Sequence, residues 1–163
     1  MGECFYYVNH DRKLFFDVGL TVFNANFSGI GWSSIATRAF CLLITQCSHD
    51  KYSHTLVGSW VGDKVHIIGD YSRWEHDFEL YQNITANVIL MLYQIDGAEQ
   101  LIETVKTNDY FFIKIGYLIF TNQFTEILPD LNRHFGDNWS KKYKQLLEQY
   151  PYTTFYDLVD LDS

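Results

Sequence analysis

The stretch Thr55–Trp74, TLVGSWVGDKVHIIGDYSRW, decides the predicted fold. Two apolar runs rich in β-branched residues flank the pair Gly62-Asp63, and a glycine in the first turn position suits a type II′ hairpin turn. The sequence therefore predicts a central antiparallel hairpin with Trp60 opposite Val65. The face expected to contact the core alternates large and small residues: Leu56, Gly58, Trp60, Val65, Ile67 and Gly69.

Further elements are predicted on both sides of this hairpin. A second hairpin is expected over Glu3–Asp17, because two runs of strand-forming residues enclose the turn-like segment NHDR. Residues Tyr110–Phe120 are also rich in strand formers and predict a strand. Apolar spacing and flanking helix breakers predict helices at about Ser34–Gln46, Thr85–Ile95, Ala98–Thr107 and Asn138–Gln149.

These elements predict an α+β fold in which an antiparallel sheet of hairpins has helices packed on one face. The hairpins are local in sequence, and no strand–helix–strand rhythm or phosphate-binding loop occurs. A chain of 163 residues is long enough for one well-packed core. We therefore expect a single globular domain over residues 1–163, with an acidic C-terminal tail that frays from about residue 157.

Charge and cysteine content limit the classes of partner and compartment. The formal net charge of −8 disfavours duplex nucleic acid and anionic membrane, since both attract basic surfaces. The N-terminal residues lack the apolar core of a signal peptide, and the apolar windows are too short to span a bilayer. Three cysteines without paired spacing indicate reduced thiols. The expected location is the cytoplasm, or a host cell or virion if the protein is viral.

Asp70 is the carboxylate with the most interesting sequence context. It follows Gly69 at the end of an apolar run, and HIIGDYSR superficially resembles the metal-binding segment of calcineurin-like metallophosphoesterases. The second aspartate of that motif is absent here, so a strand end with a turn cap is the favoured interpretation. The alternative is a small metal-dependent hydrolase or phosphoesterase that uses Asp63, His66 and Asp70. Separately, His66 with Ser59 opposite it has the residue types of a general base and its hydroxyl partner, although a cross-strand histidine on the outer face is the favoured interpretation.

Cys47, His49 and His54 form a C-x-H-x₄-H pattern, which has the ligand types of a zinc site. A structural zinc site needs a fourth ligand, and His76 is the only nearby candidate. We therefore favour a cysteine at a helix end followed by two solvated loop histidines, and no cofactor is predicted.

Aromatic residues in polar surroundings predict an interaction surface. They follow the central hairpin and recur near the C-terminus: Tyr71, Trp74, Phe78, Tyr81, Tyr152, Phe155 and Tyr156. Aromatic side chains with a polar rim are typical anchors of protein interfaces. The alternative is that they pack against loops of their own domain.

One motif also carries a resemblance to a family. The residues Trp60–Tyr71 read W-x-G-D-x-V-x-x-x-G-D-Y, and the hairpin YYVNHDRKLFFD precedes them. Together they resemble a family of small uncharacterised proteins scattered among bacteria, protists and large DNA viruses. Its members carry a W-x-G-D-[RK]-[VI] run that ends in GDY. The resemblance covers about residues 1–95 and implies no catalytic residue, because no activity is assigned to that family.

The sequence thus favours a non-enzymatic, intracellular protein-interaction or assembly module, and the scattered distribution of the resembled family would suit a mobile or viral gene. Its expected partner is another protein or further copies of itself, and neither duplex nucleic acid nor membrane. The metal-dependent hydrolase remains the alternative.

Overall fold

The computed structural model describes residues 5–17, 34–69 and 78–149. The chain divides into two compact units, Met1–Ile95 and Asp96–Ser163. The single domain over residues 1–163 stays a prediction, and the tail beyond residue 157 lies outside the described residues.

The first unit contains a four-stranded sheet in the order β3-β1-β2-β4. Its strands are β1 Phe5–Asn9, β2 Leu14–Asp17, β3 Val65–Gly69 and β4 Gln82–Asn83. β1 pairs antiparallel with β2 and with β3, whereas β4 pairs parallel with β2. The α+β class is therefore confirmed, but the prediction of a purely antiparallel sheet is wrong. The short β4 is not part of a hairpin and approaches β2 from a distant part of the chain.

The N-terminal hairpin has the predicted strands and turn. Tyr7 pairs with Phe16 and Val8 with Phe15, and these four side chains are at most 5% exposed. The turn between the strands is stabilised by the Asn9 side chain, whose Oδ1 accepts a hydrogen bond from the backbone N–H of Arg12 at 3.0 Å. Strand propensity and turn residues agree at this site, which is why the sequence predicted it.

The predicted central hairpin is wrong in its first strand. Residues 55–63 form successive turns, in which Val57 N–H donates to His54 C=O and Val61 N–H to Gly58 C=O. Gly58 has φ +72°, a left-handed conformation that does not occur in the regular extended strand predicted here. β3 pairs instead with β1, so that Ile67 lies opposite Tyr7. Trp60 is buried as predicted, but Ile67 is 44% exposed.

Helix α1, Ser34–Leu43, packs against one face of the sheet. Its Phe40 ring stacks on Tyr7 with centroids 4.4 Å apart, and Tyr7 in turn stacks on Phe16 at 5.0 Å. Residues 58–60 complete the end of this helix, since Gly58 N–H donates to Leu42 C=O and Trp60 N–H to Leu43 C=O, both at 2.9 Å. The opposite face of the sheet carries a cluster of Val8, Phe15 and Tyr81. Helix α2, Thr85–Asp96, follows β4.

The described residues of the second unit form helices joined by short non-helical segments and contain no strand. Its helices are α3 Ala98–Thr107, α4 Asp109–Phe120, α5 Leu128–Phe135 and α6 Trp139–Gln149. α4 packs against both α3 and α6. The helices predicted over Ala98–Thr107 and Asn138–Gln149 are confirmed, as are those predicted near Ser34 and Thr85 in the first unit. The strand predicted over Tyr110–Phe120 is wrong, because this segment is α4.

Tyr143 on α6 lies at the centre of the second unit. Its ring is 1% exposed and contacts Phe120 at 5.2 Å between centroids. Burial raises the pKa of the Tyr143 hydroxyl, and this oxygen has no hydrogen-bond partner among residues 5–17, 34–69 and 78–149. The ring packs directly over Gly116 of α4, where a larger residue would collide with it.

Candidate functional site

The sheet brings its polar side chains together beside the turn of the β1–β2 hairpin. We call this group the turn cluster: Asn9, His10, Arg12, Asp63, His66 and Tyr81. Its members come from three separate stretches of the chain, and the β1–β3 pairing joins the first two of them. The cluster has two parts. In the first, which we call the carboxylate lock, Asp63 accepts hydrogen bonds from Asn9 and Arg12. The second is the histidine pair, His10 and His66.

The carboxylate lock is centred on Asp63. Its Oδ2 accepts hydrogen bonds from Asn9 Nδ2 at 2.8 Å and from Arg12 Nε at 2.7 Å. The backbone adds two bonds beside it, from Lys64 N–H to Asp11 Oδ2 at 2.7 Å and from His10 N–H to Lys64 C=O at 2.9 Å. These contacts fix the Gly62-Asp63 turn against the hairpin turn. The sequence therefore identified a real turn at Gly62-Asp63, but its partner is the N-terminal hairpin.

The lock makes stability depend on pH. The hydrogen bond from Asn9, and then that from Arg12, hold the pKa of Asp63 below its ordinary value of 3.8. A lowered folded-state pKa adds stability that is complete above the unfolded-state value and is lost as pH falls through the folded-state value. We expect Asp63→Asn to lower the urea midpoint near neutral pH, and the difference from wild type to shrink as pH falls below 3.8.

The matched control for Asp63→Asn is Glu103→Gln, which removes an exposed carboxylate from α3. Urea unfolding followed by circular dichroism from neutral pH to pH 2.5 measures both variants. A constant difference between wild type and Asp63→Asn at every pH would contradict the electrostatic role of Asp63.

The histidine pair is the second part of the turn cluster. His10 Nε2 lies 3.0 Å from His66 Nδ1, and His10 Nδ1 lies 3.1 Å from the Tyr81 hydroxyl. The two imidazole rings meet edge to face with centroids 4.8 Å apart. Tyr81 is buried, His10 is half-buried and His66 is exposed. A continuous line of polar atoms therefore runs from the buried face of the sheet to solvent.

The residues of the hydrolase hypothesis are only partly brought together. Asp63 and His66 belong to the turn cluster, but Asp63 Oδ2 is already engaged by Asn9 and Arg12. Asp70 lies outside the described residues. Ser59 is not opposite His66, because Val8 is the residue that pairs with His66. The predicted hydroxyl–imidazole pair depended on the central hairpin and is wrong with it.

The predicted zinc ligands have local roles at turns. Cys47 Sγ accepts a hydrogen bond from His49 N–H at 3.5 Å, and His49 Nδ1 accepts one from Lys51 N–H at 3.2 Å. His54 Nδ1 accepts one from Leu56 N–H at 3.1 Å. Within the described part of the chain, no three or more His, Cys, Asp or Glu side chains group as ligands for a metal ion.

A mainly apolar groove lies beside the exposed side of α1. It encloses about 690 Å³ and includes the two described cysteines, Cys41 and Cys47, as exposed thiols. Its other lining residues are Thr37, Arg38, Leu42, Thr45, Tyr52 and Val57. Grooves of this size and polarity are where small apolar ligands bind.

The predicted aromatic interaction surface is mostly outside the described residues: Tyr71, Trp74, Tyr152, Phe155 and Tyr156. Phe78 begins the short 3-10 helix Phe78–Leu80. Tyr81 is 6% exposed and packs with Val8 and Phe15, so its ring is part of the core and does not offer a surface anchor. The interpretation of packing within its own domain therefore holds for Tyr81.

Strand β3 forms one edge of the sheet among the described residues. It pairs with β1 on one side, and no other described strand pairs with it. The other edge of the sheet, β4, is only two residues long, whereas β3 has five. β3 reads VHIIG and contains no lysine, proline or acidic residue, which are the usual protections of an edge strand. Ile67 on this strand is 44% exposed.

Sequence reasoning missed His10, Asn9 and Arg12, which it treated only as turn residues. Their roles depend on contacts with residues more than fifty positions away, such as the 56-residue separation between His10 and His66. One signal was present in the sequence. Side chains alternate between the two faces of a strand, so Val8 and His10 lie on the same face, the face of Phe15. A strand paired with β1 would therefore place every second side chain on that face, next to His10.

No protein-family profile, curated protein or solved structure matches this chain. The resemblance of Trp60–Tyr71 to small uncharacterised proteins therefore stays a prediction. Among the described helices, none combines the length and apolar character needed to cross a membrane.

Proposed function

We propose that this chain is a non-enzymatic assembly module, in which two copies pair through the outer edge of strand β3. The single observation that supports this most is the five-residue, uncharged edge strand with a half-exposed isoleucine at its centre. An extended edge of this kind offers unpaired backbone groups to another strand.

The hydrogen-bonding pattern of β1 and β3 indicates which backbone groups point outward. His10 N–H donates to Lys64 C=O, so His10 and Lys64 form a hydrogen-bonded pair. In an antiparallel ladder such pairs alternate, which makes Val8–His66 the next one along. The N–H and C=O groups of Val65, Ile67 and Gly69 then point away from β1, toward the outer edge.

A second copy suits this edge because the strand is complementary to itself. An antiparallel pair centred on Ile67 places Ile67 opposite its symmetry mate on one face, and the two side chains cover each other. The same register places Val65 opposite Gly69, which is buried within the single chain, so the exposed part of the contact is His66 and Ile67. No Lys, Arg, Asp or Glu occurs within β3, so this contact brings no like charges together despite the net charge of −8.

The decisive variant is Ile67→Lys, which would place two lysines opposite each other in the paired strands. We expect wild-type protein to form a dimer over about 1–200 µM, and Ile67→Lys to weaken dimerisation at least about tenfold. Sedimentation velocity and native mass spectrometry measure this. Hydrogen exchange adds a local readout, since the Ile67 amide should become protected as the protein concentration rises.

The matched control is Ile44→Lys, which changes an isoleucine of similar exposure, 40%, outside the sheet. It should leave the dimer intact. A wild-type protein that stays monomeric throughout this concentration range would refute self-assembly, as would a dimer that Ile67→Lys leaves unchanged.

The compartment and partner class belong to the same proposal. The exposed thiols of Cys41 and Cys47 support a reducing location such as the cytoplasm. The net charge of −8 supports a protein partner over duplex nucleic acid.

A further inference from the structure

We propose that His10 and His66 bind one late first-row divalent cation, Zn²⁺ or Cu²⁺, as a cross-strand chelate. This inference uses the histidine pair of the turn cluster and does not depend on the assembly proposal. Four features of the structure carry it: backbone placement, nitrogen spacing, the Tyr81 hydrogen bond and solvent access.

The backbone places both rings on one face of the sheet. His66 lies on β3 opposite Val8, and His10 follows Val8 by two residues, so the two histidines are diagonal neighbours on that face. The bond from His10 N–H to Lys64 C=O fixes the spacing of the two chains at this point. Ligands held by paired backbone need little ordering when a cation binds.

The distance between the facing nitrogens matches adjacent ligands of one metal ion. With metal–nitrogen bonds of about 2.0–2.1 Å, ligands at 90° lie roughly 2.9 Å apart and tetrahedral ligands roughly 3.4 Å apart. His10 Nε2 and His66 Nδ1 are 3.0 Å apart. The cation would replace the proton that the two nitrogens share in their hydrogen bond, and each lone pair would turn by roughly 40–45° from the line that joins the nitrogens.

Tyr81 supplies the hydrogen bond that orients a metal-binding histidine. With its proton on Nδ1, His10 donates to the Tyr81 hydroxyl at 3.1 Å, and Nε2 then carries the lone pair. Metal-bound histidines nearly always donate their second ring N–H to a fixed acceptor, usually a carboxylate, backbone carbonyl or water, and here the Tyr81 hydroxyl takes that place. Tyr81 is 6% exposed and packed with Val8 and Phe15, so its hydroxyl is held in place.

The chemistry of the pair defines the class of cation. Imidazole nitrogen favours Zn²⁺, Cu²⁺ and their neighbours over Mg²⁺ and Ca²⁺, and affinity within the series is highest for Cu²⁺. His66 is exposed, which leaves the remaining coordination positions to water or to a group from another molecule. Two protein ligands bind more weakly than the three or four of established zinc sites. Protonation of either ring competes with the metal, so binding should weaken on acidification.

The test is titration of metal-free protein with ZnCl₂ by calorimetry and with CuSO₄ by electron paramagnetic resonance. We expect one site with hyperfine coupling to two imidazole nitrogens. His66→Ala and His10→Ala should each weaken Zn²⁺ binding at least about tenfold and remove the two-nitrogen signal. Because His66 is exposed, the His66→Ala variant should fold normally. The test therefore stays valid even if the His10→Ala variant does not fold.

Tyr81→Phe tests the orienting role separately. It should weaken binding by about tenfold while the two-nitrogen signal remains, because the ligands are unchanged and only the fixed tautomer is lost. The matched controls are His49→Ala and His54→Ala, since both remove loop histidines whose Nδ1 atoms accept backbone hydrogen bonds. These two should bind Zn²⁺ as wild type does.

Three outcomes would overturn the inference: no Zn²⁺ binding below the millimolar range, binding that His66→Ala leaves unchanged, or binding that His49→Ala or His54→Ala abolishes. Repeating the titration on Ile67→Lys separates this inference from the proposed assembly. A monomeric Ile67→Lys protein that still binds Zn²⁺ would show that the metal site stands without the dimer.

Discussion

Gly116→Ala is expected to destabilise the second unit by about 2 kcal/mol, although alanine is normally the better helix former. A Cβ at this position would overlap the ring carbons Cε2, Cδ2 and Cζ of Tyr143. The Tyr143 ring has no room to move, since it is 1% exposed and in contact with Phe112, Phe120 and Trp139.

Two opposing effects decide the sign of this substitution. Replacing glycine by alanine inside a helix stabilises it by about 1 kcal/mol. Overpacking a rigid core costs about 1–3 kcal/mol and sometimes more. The overlap at Gly116 is with a closed ring of six atoms and not with the flexible end of a side chain, so the cost should exceed the helical gain.

Urea unfolding followed at the helical circular dichroism band measures the effect, and a double-mutant cycle isolates its cause. In a Tyr143→Leu background, which lacks the ring, the cost of Gly116→Ala should fall by at least about 1 kcal/mol. If Gly116→Ala instead stabilised the wild-type protein, close packing between α4 and α6 would not be what requires glycine there.

Gly58→Ala is expected to destabilise the first unit by about 2–4 kcal/mol. Gly58 has φ +72°, a conformation that costs an L-residue about 1–2 kcal/mol. An added Cβ would also lie 2.9 Å from the backbone oxygen of Thr45, which cannot easily move. Both effects would displace the Gly58 backbone. They would thereby weaken the hydrogen bond from Gly58 N–H to Leu42 C=O that completes the end of α1.

Gly62→Ala is the matched control, because Gly62 has a similar φ of +81° but nothing within 4 Å of an added Cβ. It should cost only the conformational term of about 1–2 kcal/mol. Thermal and urea unfolding of both variants give the difference, which measures the contact with Thr45. Equal costs at the two positions would mean that this contact relaxes without penalty.

The sequence predicted the elements that are encoded locally. The N-terminal hairpin has strand formers on both sides of a polar turn, and α6 has Tyr143, Leu146 and Leu147 at helical spacing with buried side chains. In both places propensity, periodicity and flanking residues indicate the same structure. Local agreement of this kind is what makes an element predictable without its tertiary context.

The error at Tyr110–Phe120 has a physical reason. α4 is buried on nearly all sides, including Phe111, Ile113, Ile115 and Leu118, so its sequence lacks the polar positions that reveal a helical period. A continuous apolar run with isoleucines then resembles a buried strand. The start signal was present, since Asn108 is the N-cap and its Oδ1 accepts a hydrogen bond from Phe111 N–H at 2.9 Å.

The turn cluster was beyond prediction for a different reason. Asp63 and His66 were candidates, but their partners Asn9 and His10 become neighbours only through the β1–β3 pairing. A turn signal at Gly62-Asp63 identifies a change of chain direction and does not identify the strand that β3 will join. The glycine at position 58 excluded the local partner, because its left-handed backbone interrupts the run Leu56–Val61.

The pairing of β1 with β3 also determines how long the N-terminal hairpin lacks one neighbouring strand during synthesis. The two strands meet across a separation such as the 56 residues between His10 and His66, and at about 5–20 residues per second the ribosome needs roughly 3–11 s to synthesise that interval. During this delay the N-terminal hairpin has emerged without the strand that covers one of its edges. In that state the edge of β1 at Val8 lacks its β3 partner, so another chain can pair with this edge, and aggregation is favoured during the translation interval.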